Sequence, residues 1–264
     1  MLGRLQRLEI LEVQNCDSVE EIFELEALSS KKTHAIAAAQ LRTLQIHYLP
    51  KLKHVWNVDS QVILSYQNLH SISVQYCVSL KSLFPASVAR GLVQLEEHTI
   101  HYCCMMKEIT AKDDTVEVKA VLRMAMVLKT LDVQCCNELD ILASQVLSHG
   151  ESRHEIPTGQ PLFLMVGLLN IMKLSIEEID NLRKIWYDQL YLDSFSKLEQ
   201  VYVYGCNNLL NVFPSNMLGR LQRLGILEVE NYDSVEEIFE LEALGSKKTH
   251  AIAAAKLRTL QIVI

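Results

Sequence analysis

The sequence predicts an α/β fold of the solenoid kind, in which short parallel strands stack into one sheet and helices or irregular segments return along the opposite side. Two observations predict it. One is a phrase that recurs along the 264-residue chain, at 8–22, 41–55, 69–83, 95–109, 128–142, 169–185, 195–212, 224–238 and, cut short, 257–264. The other is the shared wording of those stretches, L-x-x-L-x-[VI]-x-x-C-x-x-L-x-x-[ILV].

Each part of the phrase has a physical role. The L-x-[VI] step has a period of two, so it forms a strand with one buried face. Neighbouring strands then stack about 4.8 Å apart. The leucines on either side of the strand fill a core that no single repeat can close. The Cys position of the phrase falls at 16, 49, 77, 103, 136, 179, 206 and 232. Most of these steps are close to the 20–29-residue period of leucine-rich repeats, with a few enlarged turns, and the wording is the signature of that repeat. "FPASVARGLVQL" (84–95) and "FPSNMLGRLQRL" (213–224) are predicted as short convex helices, with Pro near the first turn. Ser, Lys, Gly, Asp and Pro collect in 23–40, 110–126 and 143–160. Those stretches are expected to be exposed loops on the convex or lateral side.

A second layer of repetition lies over the first. Residues 1–46 recur at 217–262 and differ only at positions 9, 14, 16, 29 and 40. Met1 thus corresponds to Met217, inside the second predicted convex helix, and the chain ends at "QIVI" where the first copy continues "QIHYLPKLKHVW". The expectation is one repeat domain over 1–264, about nine repeats, a curved right-handed superhelix with uncapped ends, cut from a longer array.

Composition limits the function. Hydrophobic residues at 49% and charged residues at 22% supply a core and exclude a disordered tail. A net charge of −7 lacks the basic stripe of a nucleic-acid binder. The longest apolar run, 162–172, is short of the ~20 residues of a membrane helix, and Arg4, Arg7 and Glu9 spoil a signal peptide. Seven cysteines without an even framework point to reduced thiols and a cytoplasmic location.

Five of those cysteines, Cys16, Cys77, Cys103, Cys136 and Cys206, share one repeat position. They read as a structural ladder whose side chains serve backbone groups where the chain leaves the strand. A metal site around "HYCC" and "CC" is disfavoured, because adjacent residues on a strand point opposite ways. A His101–Cys103 nucleophile pair fails for the same reason. Trp56 and Trp186 share a phase and read as packing groups. No carboxylate pair, nucleophile triad or phosphate cradle converges, so no catalytic residues, metal ligands or cofactor are assigned.

Binding chemistry is expected on the concave row. The residue after each L-x-[VI] step gives His47, Gln75, His101, Glu177, Tyr204 and Glu230 among others, and the next one gives Tyr48, Tyr76, Tyr102 and Glu178. The three tyrosines are read as one column on successive strands, flanked by His47, Gln75 and His101, which is an amphipathic surface suited to a protein partner. The alternative is stacking that only stabilises the sheet. Glu177, Glu178, Glu228 and Glu230 form an acidic end, read either as solvated charge or as a contact for a basic protein face.

Three phrases carry a resemblance: "LPKLKHVW", "CVSLKSLFPASVARGLVQLE" and "MLGRLQRLEILEVQNCDSVEEIFELEAL". They resemble the C-terminal leucine-rich repeats of plant intracellular disease-resistance receptors of the coiled-coil, nucleotide-binding, leucine-rich-repeat type. The resemblance implies a non-catalytic sensor and autoinhibitory region. Its partners would be a pathogen effector, a guarded host protein or the receptor's own nucleotide-binding core. The chain has no G-x-x-x-x-G-K-[ST] phosphate loop, so nucleotide binding does not carry over. Two other readings stay open, a standalone interaction adaptor and a truncated gene product.

Overall fold

A computed structural model describes residues 7–23, 40–56, 66–89, 91–110, 127–139, 170–186, 195–230, 237–239 and 256–263. The strands in chain order begin with β1 (Ile10–Gln14), β2 (Glu21–Phe23), β3 (Thr43–His47), β4 (His54–Trp56) and β5 (Ser71–Gln75). Next come β6 (Ser82–Phe84), β7 (Glu97–His101), β8 (Glu108–Thr110), β9 (Thr130–Gln134) and β10 (Lys173–Glu177). The last five are β11 (Gln200–Tyr204), β12 (Asn211–Phe213), β13 (Ile226–Glu230), β14 (Glu237–Phe239) and β15 (Thr259–Val263).

Nine strands form a single parallel sheet in sequence order, β1-β3-β5-β7-β9-β10-β11-β13-β15. Each is the L-x-[VI] step of one phrase with a residue added at either end. Pairing keeps the phrase in register, so Leu44 lies beside Ile72 and Ile46 beside Val74. From β3 to β13, the second and fourth residues of each strand are buried. The first, third and fifth keep some exposure, apart from Ser175. The alternation predicted from the phrase is therefore the alternation of the sheet. Full burial of one aliphatic side chain is worth about 1.5–3 kcal/mol, less than the entropy of ordering its strand. Stacking lets the repeats share the cost through one continuous core.

The end of the phrase forms a second tier of strands that the sequence reading did not contain. The short strands pair as β2–β4, β6–β8 and β12–β14, all parallel. They hold the aromatic part of the core. Phe23 stacks on Trp56 at 5.8 Å, and Trp56 lies 5.1 Å from Phe84. Farther along, Trp186 stacks on Phe213 at 5.8 Å and donates its indole N–H to the Val212 carbonyl. Both tryptophans are buried.

The two predicted convex helices differ in kind. α1 (Ala86–Ala89) is one turn that follows Pro85. Ser215–Arg220 is a 3-10 helix after Pro214, and no side chain caps it. Six residues that include Gly219 leave little to favour the longer α-helical hydrogen bonds, and short runs adopt the tighter winding. The expected loops at 23–40, 110–126 and 143–160 lie outside the described residues except for Phe23, Gln40 and Thr110. Among the described residues, no helix is long and apolar enough to cross a membrane.

Candidate interaction surface

Each long strand from β1 to β11 is followed by one residue of left-handed backbone. These are Asn15, Tyr48, Tyr76, Tyr102, Cys135, Glu178 and Gly205, with φ between 51° and 61°. The sequence reading placed the tyrosines on the strands, and the structure corrects this. They stand one residue past the strand, on the rim of the sheet, where the chain turns inward. The left-handed region costs a side-chain-bearing residue on the order of 1 kcal/mol, and only Gly205 avoids it.

The turn repeats because its backbone hydrogen bonds repeat. The N–H of each left-handed residue donates to the carbonyl of the last residue of the next strand. Tyr48 reaches Gln75 at 3.0 Å, Tyr76 reaches His101 at 3.0 Å, and Tyr102 reaches Gln134 at 2.9 Å. One geometry in consecutive repeats superimposes the side chains. The rings of Tyr48 and Tyr76 stack at 4.5 Å and 5°, and those of Tyr76 and Tyr102 at 4.5 Å and 4°. Tyr48 keeps 49% of its surface exposed.

Beyond Tyr102 the column turns polar. The Cys135 thiol donates to the Glu178 carboxylate at 2.6 Å. Tyr102 is pushed up to about 12, chiefly by the Cys135 thiol beside it. Partial burial, then Glu178, push Cys135 up to about 12 as well. Both groups hold their protons more tightly than free side chains do.

One residue further on, the chain points into the core. Cys77, Cys103, Cys136 and Cys206 are buried and Cys16 is half-buried. Each buried thiol lies within reach of two carbonyls, one on its own strand end and one on the preceding strand. For Cys136 these are Gln134 at 3.2 Å and Ile100 at 3.6 Å. Burial pushes Cys77 and Cys206 up to about 11 and Cys136 up to about 12. Adjacent cysteines do point apart, with Cys104 exposed next to buried Cys103.

The outward residues of the strands form the concave row. His47 and Gln75 both contact the Ser73 hydroxyl, at 3.2 and 3.1 Å. His101 pairs with Asp132 at 3.1 Å. At the acidic end, Glu177, Tyr204 and Glu230 lie side by side in register. The Tyr204 hydroxyl donates to Glu228 at 2.5 Å. Burial, then the charge of Asp132, raises the Glu177 carboxyl above the usual carboxylate range. Lys173 lies 5.4 Å over the Tyr202 ring, so the acidic end contains an aromatic face already used by a cation. Glu178 stands apart from this group, on the rim.

The sequence reading missed the residues that follow the inward turn. Position 78 is an exposed Val, 104 an exposed Cys and 105 an exposed Met, and Pro50 occupies the same place as Val78. In later repeats this position is polar and linked across repeats. The Asp180 N–H donates to the Asn137 side chain at 3.0 Å, and Asn208 donates to the Asp180 carbonyl at 2.6 Å. Alignment of the phrases two residues past the tyrosine would have shown the change from Pro50, Val78 and Cys104 to Asn137, Asp180 and Asn207. Among the described residues, no cluster of three His, Cys, Asp or Glu side chains is placed to hold a metal ion.

A parallel sheet built from a repeated strand, a thiol ladder beneath it and an aromatic rim define a leucine-rich-repeat solenoid. The family model for plant disease resistance protein RPS2-like leucine-rich repeats matches residues 1–104 and 170–263, and the chain belongs to that family. A search of curated proteins returned no match.

Proposed function

We propose that this repeat module acts in disease resistance by binding protein partners through the rim and concave row, and that it performs no chemistry of its own. The observation that carries the reading is the stack of Tyr48, Tyr76 and Tyr102. Three ordered aromatic rings in one column offer a large contact area that costs little side-chain entropy on binding. The partner is a pathogen effector, a guarded host protein or the nucleotide-binding core of the receptor that carries the repeats. The acidic end favours the last of these for a second contact. Glu177 is held protonated more readily than a free carboxylate, and an approaching basic face would relieve that charge crowding. Seven free thiols support a cytoplasmic setting.

The test is a triple Tyr→Ala variant at 48, 76 and 102. It is assayed by co-purification with the coiled-coil and nucleotide-binding portion of a receptor of this family and with effectors co-expressed in leaf tissue. Circular dichroism must first show the wild-type strand signal. Loss of a partner that the wild-type chain retains is the expected result. Full retention of every such partner would remove the tyrosine stack from the binding surface.

A further inference from the structure

We propose that the rim of the three tyrosine repeats is a docking site for an amphipathic helix of a partner protein, with basic residues at the end that lies over Glu138 and Glu178. This deepens the recognition reading above and rests on it.

The first argument is apolar exposure on three consecutive repeats. Tyr48, Val78 and Met105 keep 49%, 40% and 47% of their surface exposed on consecutive turns. The stacked rings of Tyr48, Tyr76 and Tyr102 join the three repeats, and Val78 and Met105 follow two and three residues after the ring of their own repeat. The ring column gives the exposed groups one stretch of rim, and contiguous apolar patches on a folded surface mark interaction sites.

The second argument is the backbone. Addition of a strand needs a row of free N–H and C=O groups. Along this rim the left-handed residues donate to the next strand end from Asn15 through Gly205, so the row is already used. A partner segment that docks here must satisfy its own backbone, and a helix does so.

The third argument is charge. The patch runs for two 4.5 Å steps from Tyr48 to Tyr102. Past it stand Glu138 and Glu178, both exposed, with Asp180 beside them. Asp17 lies exposed at the opposite end. Two further repeats of about 4.8 Å each carry the path from Tyr102 to Glu178, about 19 Å in all. A helix rising about 1.5 Å per residue covers that length in roughly 13 residues. Its apolar face would meet the patch and its Lys or Arg end would meet the carboxylates.

The experiment uses the 264-residue chain and a fluorescein-labelled synthetic peptide of about 16 residues, helical, with leucines on one face and three lysines in the last turn. Binding is read by fluorescence anisotropy. The expected result is saturable binding that a scrambled peptide of equal composition lacks. Exchange of the lysines for glutamate is expected to weaken it at least about tenfold. Val78→Asp with Met105→Asp should also weaken it at least about tenfold, and Glu138→Gln with Glu178→Gln about three- to tenfold with a flatter salt dependence. Gln94→Ala with Gln222→Ala, exposed in the segments that precede β7 and β13, should leave it within about twofold. Four results overturn the proposal: no binding of the lysine peptide to the wild-type chain, equal binding of the scrambled peptide, equal binding of the glutamate peptide, or an unchanged affinity in the Val78 and Met105 variant. If the triple tyrosine variant loses its protein partner but the lysine peptide fails to bind, the helix proposal falls and the recognition reading stands. If the triple variant keeps every partner, the recognition reading falls instead.

Discussion

His98 occupies the position that every other strand of the long sheet fills with Leu, Ile or Val. It is fully buried, and neither ring nitrogen has a hydrogen-bond partner among the described residues. Phe84 packs beside it at 5.9 Å. Burial lowers its pKa to about 4. In an unfolded chain the same group titrates near 6.5, so above that pH both states are neutral and His98 adds no pH dependence. Below it the unfolded chain takes up a proton that the folded chain refuses. Stability then falls by about 1.4 kcal/mol per pH unit until the pH reaches about 4. His98→Leu should remove that part of the slope and raise the urea midpoint at pH 5 more than at pH 7.5. Urea melts of both proteins at the two pH values check this, and parallel shifts at the two pH values would refute it. The left-handed column shows a comparable cost at residue scale. Six side-chain-bearing residues adopt a backbone that glycine adopts freely, and the stacking of Tyr48, Tyr76 and Tyr102 returns roughly 0.5–1.5 kcal/mol per ring pair against it.

At the scale of elements, the strand and the thiol ladder behave as one unit. The strand delivers each cysteine to the same place, and burial keeps its proton on. Cys104 is exposed, whereas Cys77, Cys103, Cys136 and Cys206 are buried with raised pKa values. Thiolates are the reactive species. Iodoacetamide at pH 8 should therefore label Cys104 in the folded chain long before those four, which should react only when the chain opens in urea. Peptide mass spectrometry over time reads the order directly, and early labelling of Cys103 would contradict the buried ladder. The long strands were legible because L-x-[VI] states both a period of two and a buried side. The short second-tier strands were not, since three residues such as Glu108–Thr110 carry too little pattern. The tyrosine column was legible as a column but not as a rim. Its hint was the company it keeps, because Asn15 and Gly205 share the position and both residue types favour left-handed backbone. The apolar rim at Val78 and Met105 lay outside the strand phrase, where nothing in the periodicity separates an exposed valine from a buried one.

The whole molecule contains its own control experiment. Strands β1 and β13 read ILEVQ and ILEVE, and β3 and β15 read TLQIH and TLQIV. They pair in the same register, Ile10 with Thr43 and Ile226 with Thr259. Their burial is not the same. Leu227 and Val229 are buried, whereas Leu11 and Val13 keep part of their surface. Leu44 and Ile46 are fully buried, whereas Leu260 and Ile262 are 53% and 40% exposed. Sequence and pairing are held nearly constant, so the difference comes from the neighbouring repeat: β11 covers β13, and β5 covers β3. That is the condition for a stack whose stability is a sum of repeat terms and interface terms. Hydrogen exchange on the 264-residue chain should follow neighbours rather than sequence. Amides of β13 should exchange more slowly than those of β1, and amides of β3 more slowly than those of β15, each by at least about tenfold. Equal protection of the paired copies would mean that each 46-residue segment is stable by itself, and coupling between repeats would then play no part in holding the sheet that carries the tyrosine rim.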